Sequence, residues 1–100
     1  MIVDLKDSAE KEFKKIEQGN PRAAQKINIT LKQIESSPNP KKVADCKKMK
    51  AHKNRYIWRA GPDCRIIGDF KNNELIIEEI IEVVAVRESA YLDLPTERIK

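Results

Sequence analysis

Two amphipathic helical patterns meet at Gly19-Asn20-Pro21, and this junction constrains the fold more than any other feature of the sequence. Glycine favours the left-handed position at a helix end, asparagine caps the next helix, and proline suits its first position. Apolar residues recur at spacings of three and four on both sides, at Ala9, Phe13 and Ile16, then at Ala24, Ile27, Leu31 and Ile34. We expect an antiparallel helical hairpin whose two apolar faces need a common cover.

Signals at the outer ends limit the two helices. Asp7 followed by Glu10 is a capping-box pattern, which predicts that the first helix starts with Asp7 as its N-cap. The sequence 36-SSPNP-40 ends the second helix, because proline cannot continue one. Ahead of the first helix, residues 2–5 alternate briefly between apolar and polar side chains, as a short edge strand does.

Three strand patterns supply the cover, over residues 55–60, 64–70 and 75–86. Alternation in the first strand directs three side chains towards the helices, namely Tyr56, Trp58 and Ala60. The other side chains of this strand, Arg55, Ile57 and Arg59, point to the opposite, uncovered face. Arg65 of the second strand points to the same face. In the third pattern we expect a bulge near Glu78-Glu79, and we expect Glu78, Glu79 and Glu82 to be solvent-facing edge charges.

The predicted element order is β-α-α-β-β-β. It corresponds to an α+β fold, with a helical hairpin packed on one face of a small, mostly antiparallel sheet. A chain of 100 residues makes a single domain. We assign residues 1–92 to this domain and residues 93–100 to a C-terminal tail that follows the surface.

Positive charge is concentrated between Lys47 and Arg65. This stretch holds seven lysines and arginines and one carboxylate, Asp63, so its net charge is +6. The whole chain carries +4, which leaves −2 for the remainder. Localised positive charge on strands, with aromatic residues between the cations, is typical of a surface that binds a polyanion, and nucleic acid is the commonest one.

Other classes of site are not indicated. Cys46 and Cys64 match no metal-binding or redox spacing, and His52 is the single histidine, so we expect two reduced, inert thiols, no metal and no cofactor. The sequence has no apolar run near 18 residues, and its first residues lack the pattern of a signal peptide. We therefore expect a cytoplasmic protein that does not bind membranes.

Three segments together resemble the RelE/ParE toxin superfamily: KKMK at 47–50, YIWRAGPDCRII at 56–67, and VRESAY at 86–91. Members of that superfamily show a Lys-Leu-Lys element, a Tyr-x-x-Arg-x-Gly-x-Tyr-Arg-Ile-Ile hairpin, and an arginine followed by a tyrosine four residues later. The resemblance covers residues 2–91. The chain departs from the pattern at Cys64, where tyrosine is usual, at Gly61-Pro62-Asp63, which adds one residue, and at Ala85-Val86, which replaces Gly-His.

The resemblance to the RelE-like branch implies a toxin of a type II toxin–antitoxin system. Such a toxin is a metal-independent endoribonuclease that cuts messenger RNA on the ribosome and so inhibits translation. The ribose 2′-hydroxyl attacks the adjacent phosphorus, and the 5′-oxygen leaves. The implied partners are a cognate antitoxin, the ribosome and messenger RNA, with no small-molecule cofactor.

The resemblance also assigns roles to individual residues. Arg65 would neutralise the scissile phosphate, Arg59 would serve the nucleophile side, and Arg87 would serve the leaving oxygen. Tyr91 would stack on or orient a nucleotide. Further cations of the basic stretch would bind RNA phosphate: Lys47, Lys48, Lys50, Lys53 and Arg55. Arginine suits these tasks because its planar fork matches phosphate oxygens, whereas no general base is evident in the sequence.

Alternative interpretations remain open at this level. Arg65 could instead form an ion pair with Asp69 on the same strand face. The chain could be a ParE-like inhibitor of DNA gyrase, which shares the fold and acts by binding. It could also be a non-catalytic binding module with the same fold.

Overall fold

A computed structural model describes residues 2–62, 64–82 and 96–98. Its helices are α1 (Asp7–Gly19) and α2 (Pro21–Ser36), followed by a 3-10 turn at Pro40–Lys42. Its strands are β1 (Ile2–Leu5), β2 (Lys47–Met49), β3 (Arg55–Ala60), β4 (Cys64–Lys71), β5 (Glu74–Glu82) and β6 (Thr96–Arg98).

The described strands form one sheet in the order β1-β5-β4-β3-β2-β6. β1 runs parallel to β5, and every other pair of described neighbours is antiparallel. The predicted α+β fold with a helical hairpin and a mostly antiparallel sheet is confirmed. Two three-residue strands, β2 and β6, extend it, and both are too short to show an alternating pattern in the sequence. β6 lies within the segment assigned to the tail and pairs with β2.

The junction between the helices is formed largely as predicted. The Asn20 side chain accepts a hydrogen bond from the Ala23 backbone N–H at 3.2 Å, and Pro21 occupies the first position of α2. Gly19, however, is the last residue of α1 and does not have a positive φ, so the prediction of a left-handed glycine is wrong. The chain turns instead at Asn20, which has a φ of −150°.

The start of α1 also differs from the prediction. The N-cap is Lys6 and not Asp7, and its side chain makes no capping bond. The Lys6 backbone N–H donates to the Ile77 carbonyl at 3.0 Å, and its carbonyl accepts from the Glu10 N–H at 2.9 Å. Lys6 therefore both completes the β1–β5 pairing and caps the start of the helix. Asp7 then lies inside the first turn, where its carboxylate interacts favourably with the helix dipole.

The main core lies between the helices and one face of the sheet. Trp58, Ile27 and Ile34 are fully buried there, and Tyr56 is 9% exposed, as the alternation of β3 predicted. The Trp58 Nε1–H donates to the Pro40 carbonyl at 2.8 Å, so its only polar atom is satisfied. Each fully buried side chain of this size contributes about 1.5–3 kcal/mol to folding.

The opposite face of the sheet is not uncovered at its centre, contrary to the prediction. Met49, Ile57 and Ile67 are exposed by 5%, 1% and 1%, and with the half-buried Ile81 they form a second apolar cluster. Alternation assigned Ile57 to this face correctly, but it indicates only direction and does not report burial. The arginines of this face therefore flank an apolar centre.

The predicted bulge in β5 is confirmed. Ile67 pairs with Glu79 and Gly68 with Ile77, which leaves Glu78 as the extra residue. A side chain at position 68 would place its Cβ 3.0 Å from the Ile76 carbonyl oxygen, so the close approach at the bulge requires glycine.

Of the three β5 glutamates predicted to be edge charges, only one is simply solvent-facing. Glu79 is exposed, but Glu78 is largely buried and accepts from Lys6 Nζ at 2.8 Å. Glu82 is half-buried and accepts from Asn20 Nδ2 at 3.2 Å. The expectation of edge charges is wrong for these two because β5 lies inside the sheet and packs against α1.

Candidate active site

The β3–β4 hairpin places Arg59 and Arg65 directly opposite each other. They are cross-strand partners, and the next pair towards the turn is Ala60 with Cys64. Directly opposed side chains point to the same face, with Cβ atoms about 4.5–5.5 Å apart. The hairpin thus places two arginine side chains next to each other, on the face that does not pack against the helices.

The two arginines differ in their surroundings. Arg65 is 7% exposed, and its Nη1 donates to the Cys64 carbonyl at 2.8 Å. The Arg59 side chain is 52% exposed; its Nε donates to the Gly61 carbonyl at 3.4 Å, and its Nη1 lies 3.9 Å from Asp45 Oδ2. Arg65 is therefore held within the structure, while Arg59 faces solvent with a long, weak ion pair.

A strained turn supports Arg59. Its backbone N–H donates to the Ala44 carbonyl at 2.9 Å. Ala44 and Asp45 both have left-handed backbones, with φ of 52° and 51°. Glycine, asparagine and aspartate adopt this conformation most readily, so the strain lies at Ala44. The sequence does not indicate this turn, because alanine rarely adopts a left-handed backbone and Asp45 alone is a weak turn signal.

Lys47 is the predicted RNA-binding lysine that shares a face with the two arginines. It pairs with Ile57 in β3, so it lies diagonally across from Arg59, and diagonal neighbours are about 7–8 Å apart. Lys48 pairs with Tyr56 and points to the opposite face, while Lys50 and Lys53 lie in the exposed segment between β2 and β3. We call Arg59, Arg65 and Lys47 the cation cluster.

Arg55 is engaged by Asp69 at the far end of the hairpin. Its Nε and Nη2 donate to the two Asp69 carboxylate oxygens at 2.6 and 2.8 Å, and Glu78 Oε1 lies 3.8 Å from Nη2. The hydrogen bonds from Arg55 lower the pKa of Asp69 below its ordinary value. Asp69 thus pairs with Arg55 and not with Arg65, and the RNA-binding role of Arg55 stays a prediction.

Arg87 and Tyr91, the remaining predicted catalytic residues, lie outside the described residues, as does Asp63. His52 is described and exposed, in the segment between β2 and β3 near Asp69. It is therefore at the opposite end of the hairpin from Arg59. The cation cluster can stabilise negative charge on phosphate, but it contains no group that is an ordinary base at neutral pH.

The two cysteines are buried and unlinked, as expected of inert thiols. Burial raises the pKa of Cys46 to about 12, which keeps its thiol protonated and unreactive. Among the described residues, no three His, Cys, Asp or Glu side chains are grouped to hold a metal ion. Neither α1 nor α2 is long and apolar enough to cross a bilayer.

Comparison with known proteins identifies structural relatives. No protein-family model and no curated protein sequence matches the chain. The YoeB/ParE toxin from Agrobacterium tumefaciens is similar at a TM-score of 0.70 and 13% identity, over 82% of this chain and 98% of that chain.

Two further solved structures show the same similarity. A chain of the heterotetrameric YoeB–YefM toxin–antitoxin complex from Staphylococcus aureus has a TM-score of 0.64 and 20% identity, over 79% of this chain and 92% of that chain. YafQ from E. coli has a TM-score of 0.64 and 15% identity, over 84% and 94%. The chain therefore has the fold of the RelE/ParE toxin superfamily, in agreement with the resemblance of its sequence.

Proposed function

We propose that the chain is the toxin of a toxin–antitoxin pair and that it cleaves messenger RNA on the ribosome, in the cytoplasm. The direct opposition of Arg59 and Arg65 carries this proposal. Two arginines at opposed positions on one face can donate to the oxygens of a single phosphate, and the Arg59 side chain is accessible to it because it is 52% exposed.

The chemistry requires stabilisation of charge at phosphorus. The ribose 2′-hydroxyl loses its proton and its oxygen bonds to phosphorus, the bond to the 5′-oxygen breaks, and that oxygen takes up a proton. In this proposal Arg65 contacts the non-bridging oxygens, and Arg59 lies on the nucleophile side. Arg87 serves the leaving oxygen, and Tyr91 orients a nucleotide. Because the cation cluster has no ordinary base, preorganised positive charge supplies most of the rate acceleration.

The proposed protein partner is an antitoxin that covers the cation cluster. Two observations support it. The chain shares its fold with a component of the YoeB–YefM toxin–antitoxin complex, and the Arg59 side chain, 52% exposed, presents positive charge on that face. An acidic or amphipathic segment would neutralise this charge and exclude the ribosome from the same surface.

The test is expression of the chain in a bacterial host, with translation and DNA replication followed separately and messenger RNA ends mapped. We expect rapid loss of translation with cuts phased to codons. The matched pair is Arg59→Gln, which should relieve the arrest, and Arg22→Gln, which removes an equal exposed charge from α2 and should not. Replication arrest with intact messages would assign the chain to the gyrase-inhibitor class, and equal toxicity of both variants would contradict the role of Arg59.

A further inference from the structure

A cavity of about 440 Å³ lies at the end of the β3–β4 hairpin, remote from the cation cluster. It is open to solvent, and the 3-10 turn, the residue before β3, the end of β4 and the β4–β5 turn border it. Its walls include Lys41, Asn54, Phe70, Lys71, Asn72 and Asn73. We call it the Lys41 cavity. Its volume lies within the range of small-molecule sites, about 300–1,000 Å³.

The Lys41 ammonium is held in place by aromatic rings. Its Nζ lies 4.9 Å from the Tyr56 ring centroid and 5.4 Å from that of Phe70. The rings are themselves fixed, since Phe70 makes edge contacts with Tyr56 at 5.3 Å and with Trp58 at 5.9 Å. Ring faces orient a cation without neutralising its charge. The rings thus orient the Lys41 ammonium without supplying a counter-charge.

The lining carries two positive charges and no carboxylate. Asp69 precedes Phe70 in β4, but Arg55 occupies both of its carboxylate oxygens. Lys71 is the cross-strand partner of Glu74, yet no ion pair joins them among the described residues. The cavity is thus suited to an anion, and two lysines at its walls suit a phosphate group.

Asparagines line much of the remaining wall. Asn72 and Asn73 form the β4–β5 turn with φ of 45° and 57°, and Asn54 anchors the neighbouring strand, because its carbonyl accepts from the Phe70 N–H at 3.0 Å. An amide side chain both donates and accepts hydrogen bonds, as the edges of nucleobases do. With Phe70 as an apolar wall, these groups match a base as well as a phosphate.

We propose that the Lys41 cavity binds a nucleotide of an RNA strand, with its phosphate at Lys41 and Lys71 and its base against Phe70 and the asparagine amides. This inference rests on the proposed function for the choice of RNA. Asn54, just before β3, and Arg59 are separated by five residues along the chain, roughly 17 Å. Tyr56 and Phe70 lie on the helix side of the sheet and Arg59 on the other face, so an RNA strand that contacts both sites passes around the open end of the β3–β4 hairpin. The cavity is therefore a second RNA contact, which anchors the strand away from the cut.

The binding test uses isotope-labelled protein, titrated with 5′-adenosine monophosphate, inorganic phosphate and a short single-stranded oligoadenylate. Backbone amide shifts locate the ligand, and the emission of Trp58, whose indole bonds to Pro40 in the cavity wall, gives the affinity. The variant is Lys41→Gln with Lys71→Gln. The control is Lys11→Gln with Lys32→Gln, which removes two exposed charges from the helices.

We expect shifts at Asn54 and residues 70–73, and about tenfold weaker binding in the cavity variant but not in the control. The oligoadenylate should bind more tightly than the mononucleotide, since the RNA strand also reaches the cation cluster. Equal binding of the mononucleotide and the oligoadenylate would instead identify a free nucleotide as the ligand and overturn the assignment to RNA. Equal affinity for phosphate and mononucleotide would overturn the base contact.

The binding and toxicity experiments test the two proposals separately. Wild-type protein that arrests translation but shows no shifts in the cavity would overturn the second contact and leave the proposed function standing. Binding in the cavity by a protein that neither arrests growth nor cuts messages would retain a nucleotide site and overturn the proposed function. Shifts of the same size in both charge variants would show that the lysines of the cavity have no special role.

Discussion

Arg59 and Arg65 are direct cross-strand partners on one face of the sheet, and Arg65 is only 7% exposed. Opposed like charges lower the stability of a sheet, and a buried guanidinium needs polar partners to offset its loss of water. The strained Ala44-Asp45 turn adjoins the same pair through the Ala44 carbonyl. Several local costs at one place are typical of a site maintained for binding and not for folding.

Removal of the Arg59 charge should abolish toxicity without lowering the free energy of unfolding. Because Arg59→Gln relieves the repulsion with Arg65 and removes only a 3.9 Å ion pair, we expect the free energy of unfolding to stay the same or rise by about 0.2–1 kcal/mol. Urea denaturation measures this change, with Arg22→Gln as the control for loss of an exposed charge. A destabilisation above about 1 kcal/mol would mean that Arg59 has mainly a structural role.

The Arg55–Asp69 pair should stabilise the fold in a pH-dependent way. Asp69→Asn breaks a bidentate pair whose side chains are 24% and 15% exposed, and we expect a loss of about 1–3 kcal/mol at pH 7. Hydrogen bonds from Arg55 lower the pKa of Asp69, so the contribution is present above about pH 4 and is lost as pH falls through the folded-state pKa. Between pH 7 and pH 3 the wild type should lose the stability that this pair supplies, and Asp69→Asn should not; denaturation of both proteins at the two pH values measures the difference. An equal effect of Asp4→Asn would argue against a specific pair.

Glu12 should show the opposite pH dependence. Partial burial raises the pKa of Glu12, and the hydrogen bond from the Ile80 N–H at 3.3 Å offsets only part of that effect. A raised folded-state pKa means that stability falls as pH rises through it. Glu12→Gln keeps the acceptor for Ile80 without the charge, so it should gain stability relative to wild type between about pH 4 and pH 7.

Chemical denaturation across that range measures the Glu12 effect, and Glu10→Gln on the exposed side of α1 serves as its control. A constant difference between Glu12→Gln and wild type at every pH would contradict the raised pKa.

Substitution of glycine at Asn73, the second central residue of the β4–β5 turn, should stabilise the fold. Both central residues, Asn72 and Asn73, have positive φ, as in a type I′ turn, and Asn-Gly is the preferred sequence for that turn. Asn73→Gly should raise the free energy of unfolding by about 0.3–1 kcal/mol, because glycine adopts this conformation without steric cost. Asn72→Gly should be nearly neutral, and thermal unfolding compares the two. A larger gain at position 72 would contradict this turn assignment.

Local patterns in the sequence were sufficient for most of the fold. The spacing of Ile27 and Ile34 identified the buried face of α2, and the alternation of β3 separated Trp58 from Arg59, because side-chain direction in helices and strands follows from backbone geometry alone. The bulge near Glu78 was also predictable, since charged residues interrupted an apolar run. The hairpin motif likewise identified the fold shared with the RelE/ParE toxins.

Properties that depend on contacts between distant segments were decided only by the tertiary structure. The sequence did not predict that Arg65 would be buried, that Asp69 would pair with Arg55, or that Lys41 would lie over Tyr56 and Phe70.

The strands β2 and β6 are three residues long and form through pairing with each other and with β3. Local pattern predicts the direction of a side chain, but strand register, burial and charge partners depend on which segments meet, because each requires groups from separate parts of the chain.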